Sequence, residues 1–307
     1  MPEQNKDYLL GTPLHGYIIP SFLLIFGTFI VKKEWVGYAA ALAAALAGVK
    51  YTLSRPRKVL HRTEFQEFEL AEKFIVSHNS AIYRFKLPNP NDILGLPIGQ
   101  HVVLAAECDG TEIMRSYTPI TSDDDTRGYV DILIKSYPQG NISKKVASMA
   151  IGETIKMRGP KGQFTYQPNI VKTLDMIAGG SGITPMLQII KAILKNPNDK
   201  TKITLIYANV NYDDILLKDD LDALVAKYPD RIKVKYVLNN PPEVWDGYVG
   251  FVTTDILKEH LNPPSDDTKV LICGPPPMVS AMKKAVQELG FEKPKPVSKM
   301  DHQVFVF

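Results

Sequence analysis

The pattern of apolar residues changes once along this chain, near Val171, and that change limits what the chain can fold into. From Phe65 to about Pro168, short alternating segments are punctuated by Gly, Pro and Asp-Gly. Phe74-Ile75-Val76, Ala81 to Phe85, His101 to Leu104 and Tyr129 to Ile134 read as strands, with Asp109-Gly110 as a hairpin turn. One helix interrupts them, opening at Asn141-Ile142-Ser143 and running to the turn at Gly152. After Val171, apolar strands alternate with helices. Leu174 to Ala178, Ile203 to Ala208, Ile232 to Leu238 and Val270 to Cys273 are predicted strands; Pro185 to Leu194, Ile215 to Tyr228 and Met278 to Leu289 are predicted helices. The first pattern predicts an antiparallel β-barrel over 61–170, the second an α/β parallel-sheet domain over 171–307. Ligands of such a sheet bind beyond the carboxyl ends of its strands.

The remaining 1–60 carry two apolar stretches, Tyr17 to Val31 and Trp35 to Val49, around Lys32-Lys33-Glu34. Each is shorter than the roughly 20 apolar residues that span a bilayer, although the first extends back to Leu9 without a fixed charge. Three ionisable residues at mid-bilayer are costly, which argues against one helix through both stretches. The expectation is an N-terminal helical membrane anchor within 9–51, as a single span or a hairpin. Trp35, Tyr38 and Tyr51 suit an interface, and Lys50, Arg55, Arg57 and Lys58 place the folded part on the cytosolic side. A cleaved signal peptide is the alternative, which Glu3, Asp7 and the interrupted apolar region disfavour.

Composition removes several classes. A net charge of +3, with bases and acids interleaved, gives no case for nucleic acid. Cys108 and Cys273 are the only cysteines, too few for a disulfide framework, a zinc cluster or a four-cysteine iron-sulfur centre, and the six histidines lack metal-ligand spacing. A metal is therefore not expected, and any redox cofactor is organic.

Three motifs carry chemistry. In Arg115-Ser116-Tyr117-Thr118, at a strand end, the arginine offers a planar donor fork to a phosphate, the tyrosine a flat face and the threonine a hydroxyl. An ordinary strand with an exposed Arg and a packed Tyr is the plain alternative. Gly179-Gly180-Ser181-Gly182-Ile183-Thr184-Pro185 joins a buried-type strand to a helix, a context where backbone approaches a nucleotide. Pro185 stands where the dinucleotide fingerprint needs its third glycine, so an ordinary Rossmann dehydrogenase loses support. Cys273-Gly274-Pro275-Pro276-Pro277-Met278 ends another strand and brings a thiol to the same crevice, for packing or polarisation rather than as a nucleophile. Gly140-Asn141-Ile142-Ser143 adds a helix start that suits an anion, or a plain Asn or Ser cap.

With Gly99-Gln100-His101, Gly159-Pro160-Lys161-Gly162, Asp214 to Leu217 and the terminal Val304-Phe305-Val306-Phe307, these motifs make the chain from Phe65 to Phe307 resemble the NADH-cytochrome b5 reductases, which belong to the ferredoxin reductase-like flavoproteins. The tail around Lys299-Met300-Asp301 is similar to fungal microsomal-type members. The resemblance implies a barrel holding FAD, a second domain for NADH and the N-terminal anchor. Residue by residue, it puts Arg115, Ser143 and the Gly140, Asn141 and Ile142 backbone at the FAD pyrophosphate, and Tyr117, Thr118, Lys135 and Tyr137 at the flavin. Gly180, Thr184, Cys273, Gly274 and Pro275 line the nicotinamide pocket. Ser116 and Ser181 depart from the family's usual Pro and Thr but remain small.

The implied reaction passes a hydride from NADH to FAD and then single electrons to cytochrome b5; a small iron protein or a quinone is the alternative acceptor. Thr118 and His101 are implied as a proton relay, against a purely structural His101. Asn209 to Asp214 contains acids and no arginine, which disfavours a 2'-phosphate, and Asp246 adds the same bias. Lys144, Lys145, Lys161 and Lys86 are candidates for a basic face toward cytochrome b5. The expected location is the endoplasmic reticulum or the mitochondrial outer membrane.

Overall fold

The computed structural model describes residues 14–307, which fall into two compact units, Met1–Arg57 and Lys58–Phe307. In the first, a π-helical turn, Leu14–Ile18, leads into α1 (Ile19–Val31). Lys32 turns extended, a 3-10 turn follows at Lys33–Trp35, and α2 (Val36–Ser54), rich in strongly helix-forming alanine, runs back along α1. Lys50 Nζ donates to the Gly16 carbonyl (3.1 Å), so the pair is an antiparallel hairpin broken at the charged residues. No helix among the described residues is long and apolar enough to cross a membrane. Leu9 to Pro13, the expected beginning of the first apolar stretch, lie outside the described residues.

The second unit contains two six-stranded sheets. The first is antiparallel, from β1 (Gln66–Ser77), β2 (Ser80–Lys86), β3 (His101–Cys108), β4 (Thr111–Tyr117), β5 (Tyr129–Lys135) and β6 (Thr154–Lys161), in the order β4-β3-β6-β1-β2-β5. β1 is shared: its first residues pair with β6 and the rest with β2. Just past β4, the Ile120 N–H donates to the Asp131 carbonyl (3.0 Å) and the Asp131 N–H to Thr121 Oγ1 (3.1 Å), drawing the two edge strands together. Asp109 and Gly110 take φ of +50° and +74°, the left-handed pair a two-residue hairpin favours. Phe68, Leu70, Phe85, Leu104 and Ile132 fill the interior. The helix of this half, α3 (Ile142–Ser148), stops short of the expected Gly152, because Met149 turns extended and the Gly152 N–H bonds back to Leu70.

The second sheet is parallel throughout, from β7 (Thr173–Gly179), β8 (Lys202–Asn211), β9 (Ile232–Asn240), β10 (Tyr248–Val249), β11 (Thr268–Cys273) and β12 (Val304–Val306), ordered β10-β9-β8-β7-β11-β12. Its helices are α4 (Ile183–Lys195), α5 (Lys218–Lys227), α6 (Thr254–His260) and α7 (Pro276–Glu288). The chain builds outward from β7 through β8 to β10, then returns to the other side with β11. The topological switch point therefore lies between β7 and β11, where ligands bind in open parallel sheets. The helix expected from Ile215 begins only at Lys218. Asn211 and Asp214 close a separate 3-10 turn with a capping box, and Leu217 sits at φ +58°, which interrupts any continuous helix.

Candidate functional site

At the switch point Ala178 pairs with Cys273, and the two strands open into the glycine loop and the Gly274-Pro275 turn. Backbone is pressed against backbone there: a Cβ on Gly182 would collide with the Cys273 carbonyl oxygen, and one on Gly179 with Met278 Sδ. Gly180, at φ +52°, has open space over its Cα, so its backbone is the part of the loop a ligand can approach. The Tyr207 hydroxyl donates to the Gly180 carbonyl (3.1 Å) and Thr184 Oγ1 to the Ser181 carbonyl (3.1 Å), which fixes the loop from below and within. Burial pushes the Cys273 thiol up to about 12, so it stays protonated at neutral pH, as a packing or polarising group requires. Thus Gly180, Thr184, Cys273, Gly274 and Pro275 come together.

On the antiparallel sheet, Arg115 lies opposite Leu104 and Tyr117 opposite Val102. Alternation along β4 puts Arg115 and Tyr117 on one face. The Arg115 side chain is exposed, and its Nη1 donates to the neighbouring Met114 carbonyl (2.8 Å). Burial pushes the half-buried Tyr117 phenol up to about 12, despite the opposing Arg115 charge. Continuing the β3–β4 register past Val102 and Tyr117 sets His101 beside Thr118. Partial burial, then the Lys161 charge across the β3–β6 ladder, lowers the His101 pKa and favours the neutral ring. Ser143 is buried directly beneath Gly140, where a Cβ would meet its Oγ; Asn141 is exposed and Ile142 lies in the core. α3 packs against β3 and β4, although no hydrogen bond joins it to Arg115 among the described residues.

Lys135, at the end of β5, has a partner that sequence reasoning missed. Its Nζ lies 2.7 Å from Asp214 Oδ1, with side chains only 10% and 5% exposed, and the pair ties the antiparallel half to the parallel half. Burial works against ionisation of Asp214, but Lys135 and the Asn211 donors outweigh it and hold the carboxyl below its ordinary range. Tyr137, two residues on, is exposed. Asp246 is exposed in the turn before β10, where Trp245 stands edge-on to Tyr212 at 6.0 Å. The acidic end of β8 and the Asp246 turn, read separately in the sequence, are thus neighbours. Lys144 and Lys145 are exposed on α3 and Lys161 is half-buried; Lys86 is paired with Glu69 at 2.6 Å.

These groups fit a dinucleotide on each side. The Arg115 fork has donors to spare, Gly180 offers bare backbone, and neither polar side-chain atom of buried Asn209, one residue past the β8 partner of Gly179, has a hydrogen-bond partner among the described residues. No cluster of three His, Cys, Asp or Glu that could hold a metal ion occurs among the described residues.

Comparison with known proteins agrees with this division. Residues 67–166 match the oxidoreductase FAD-binding domain and residues 176–284 the oxidoreductase NAD-binding domain. The chain is 64% identical over 301 residues to NADH-cytochrome b5 reductase 1 of Ajellomyces capsulatus, covering 96% of both chains. It belongs to the NADH-cytochrome b5 reductase family. The protein of that name from Pyricularia oryzae is 56% identical, over 100% of this chain and 99% of the other. Among solved structures, the cytochrome b5 reductase domain of Ulva prolifera nitrate reductase matches with a TM-score of 0.75 and 35% identity, over 81% of this chain and all of that one. The antiparallel sheet is thus the FAD half and the parallel sheet the NAD half of a ferredoxin reductase-like pair.

Proposed function

We propose that this family member is an NADH-dependent flavoprotein reductase that passes a hydride from NADH to FAD and then single electrons to cytochrome b5. The observation that carries the reading is the presence of two built sites in one compact unit: the Gly180 and Cys273 loops at the switch point and the Arg115-to-Thr118 strand end. Bound flavin supplies the conversion of an electron pair into single electrons. The protein binds and orients. Arg115 and the Gly140 to Ser143 segment hold the FAD diphosphate, while Tyr117, Thr118 and Tyr137 border the flavin ring. Thr184, Cys273, Gly274 and Pro275 place the nicotinamide, and neutral His101 accepts a proton through the Thr118 hydroxyl. Lys135 serves the cofactor cleft from within its pair with Asp214. The acids near Asp214, together with Asp246, select NADH over NADPH.

Lys144, Lys145 and Lys161 form the docking face for cytochrome b5, with Lys86 largely neutralised by Glu69. The domains divide at 61–170 and 171–307. The N-terminal hairpin is the membrane anchor: Phe22, Leu23, Phe26, Ile30 and Leu42 are exposed on it, as an apolar surround favours. It holds the catalytic unit on the cytosolic face of the endoplasmic reticulum or the mitochondrial outer membrane.

Anaerobic titration of the FAD-loaded protein with NADH and NADPH, followed by oxidised cytochrome b5, tests the reaction. Preferential bleaching by NADH and stoichiometric cytochrome reduction are expected; protein that takes up no FAD would end the proposal. Retention in membranes after carbonate extraction is the expected result for the anchor.

A further inference from the structure

Between Pro185 and Ile190, Gln188 is the one polar side chain on α4, and it is buried. An amide in such a place is costly unless it is hydrogen-bonded, and a leucine of similar size would pack there without that cost. Gln188 uses both ends of its amide, and both partners flank strands of the other sheet, Gly99 before β3 and Pro119 after β4. Its Oε1 accepts from the Gly99 N–H at 2.6 Å, and its Nε2 donates to the Pro119 carbonyl at 3.4 Å. The amide orientation is fixed by chemistry, since a backbone N–H only donates and a carbonyl only accepts.

The two segments it holds are significant. Gly99 lies two residues before His101, and Pro119 directly follows Thr118. Gly99 itself is confined, at φ +83° with the Phe164 ring where a Cβ would stand. On its own helix, Gln188 is one turn beyond Thr184, on the same face, about 6 Å along the axis. One side chain therefore links the start of the nicotinamide-loop helix to both strand ends that border the flavin.

We infer that Gln188 is a positioning residue for hydride transfer: it sets the spacing between the nicotinamide loop and the His101 and Thr118 strand ends without touching either ring. This rests on the reductase reading above. Without the amide neither strand end is hydrogen-bonded to the helix at this point, and the approach of the two rings relaxes.

The test uses full-length FAD-loaded protein, wild type, Gln188→Leu and Gln188→Glu, in anaerobic stopped-flow reduction by NADH across pH 6 to 8.5. Flavin content and thermal unfolding are measured alongside. Gln188→Leu should keep its FAD and an NADH dissociation constant within about twofold of wild type. Its limiting rate of flavin reduction should fall on the order of tenfold, the effect of a sub-ångström misplacement of reactants. Gln188→Glu separates positioning from packing. Protonated, its acid both accepts from Gly99 and donates to Pro119; ionised, it loses the donor and faces the carbonyl. Its limiting rate should be close to wild type at low pH and fall as pH rises, with an inflection wild type lacks. A Leu variant that reduces as fast as wild type overturns the inference, as does a Glu variant whose pH profile parallels wild type. Should the Leu variant fail to fold, the Glu profile alone decides. Wild-type protein that holds FAD but is not reduced by NADH would instead refute the reductase reading, and this inference with it.

Discussion

The two halves of the catalytic unit present their sites in opposite ways. In the antiparallel half the candidate groups Arg115 and Tyr137 are side chains reaching outward: both are exposed, and among the described residues the Arg115 guanidinium is hydrogen-bonded to its neighbour's carbonyl alone. In the parallel half the site is backbone held from inside, with Gly182 against the Cys273 carbonyl and the Gly180 carbonyl pinned by Tyr207. The difference teaches where a substitution will register. Changes in the first half should alter affinity and leave the fold alone, whereas changes in the second should damage geometry and stability together.

The largest effect is expected at the seam between them. Asp214→Ala leaves the buried Lys135 ammonium uncompensated and should destabilise the protein by about 3 kcal/mol or more, read by denaturant unfolding. The same pair fixes a sign with pH. The Asp214 pKa is lowered on folding, so its stabilisation is present above the unfolded carboxylate range near pH 4 and is lost as pH falls through the lowered value. The acid limb of wild-type stability should therefore be shallower in Asp214→Ala. Equal stability of the two proteins at pH 7 would show that the seam contributes nothing.

Gly182→Ala tests the parallel half. Its new methyl must push the Cys273 strand end away, costing about 1–3 kcal/mol by overpacking, with NADH-driven flavin reduction falling in step. A stable Gly182→Ala that only binds NADH more weakly would break the comparison. Arg115→Ala is its counterpart: FAD affinity should drop about 10- to 100-fold, as for loss of a charge-assisted hydrogen bond, by fluorimetric titration of the apoprotein. The melting temperature of the FAD-free protein should stay unchanged; a lowered one would mean that Arg115 supports the fold. The smallest effect belongs to Cys273. With its thiol pushed up to about 12, alkylation by iodoacetamide should be slow and rise with pH well beyond 9, measured by mass spectrometry. Fast modification at pH 7 would contradict a half-buried neutral thiol.

Much of this was legible before the structure because it is local. The strand end at Arg115 to Thr118 and the loop from Gly179 to Pro185 each announce themselves within a few residues, through alternation and through glycine followed by a helix start. The helix expected over Ile215 to Tyr228 was only partly legible, since Asn211 and Asp214 close a turn of their own and Leu217 adopts a left-handed conformation that nothing in its side chain advertises. Long-range partners were not legible at all. Gln188 reads as one polar residue on an apolar helix, and its donor and acceptor partners, Gly99 and Pro119, lie 89 and 69 residues away. Nothing near Lys135 in the sequence announces its partner Asp214, 79 residues on.

By itself the sequence determined the two sheet types and their order along the chain, and it pointed to the glycine loop and the strand end as candidate dinucleotide sites, because hydrophobic period and glycine placement act over a few residues. Tertiary structure alone decided how the halves are joined, through Lys135 with Asp214 and Gln188 with Gly99 and Pro119. Such pairings depend on which strand ends a folded chain carries to the same place, and no local pattern encodes that.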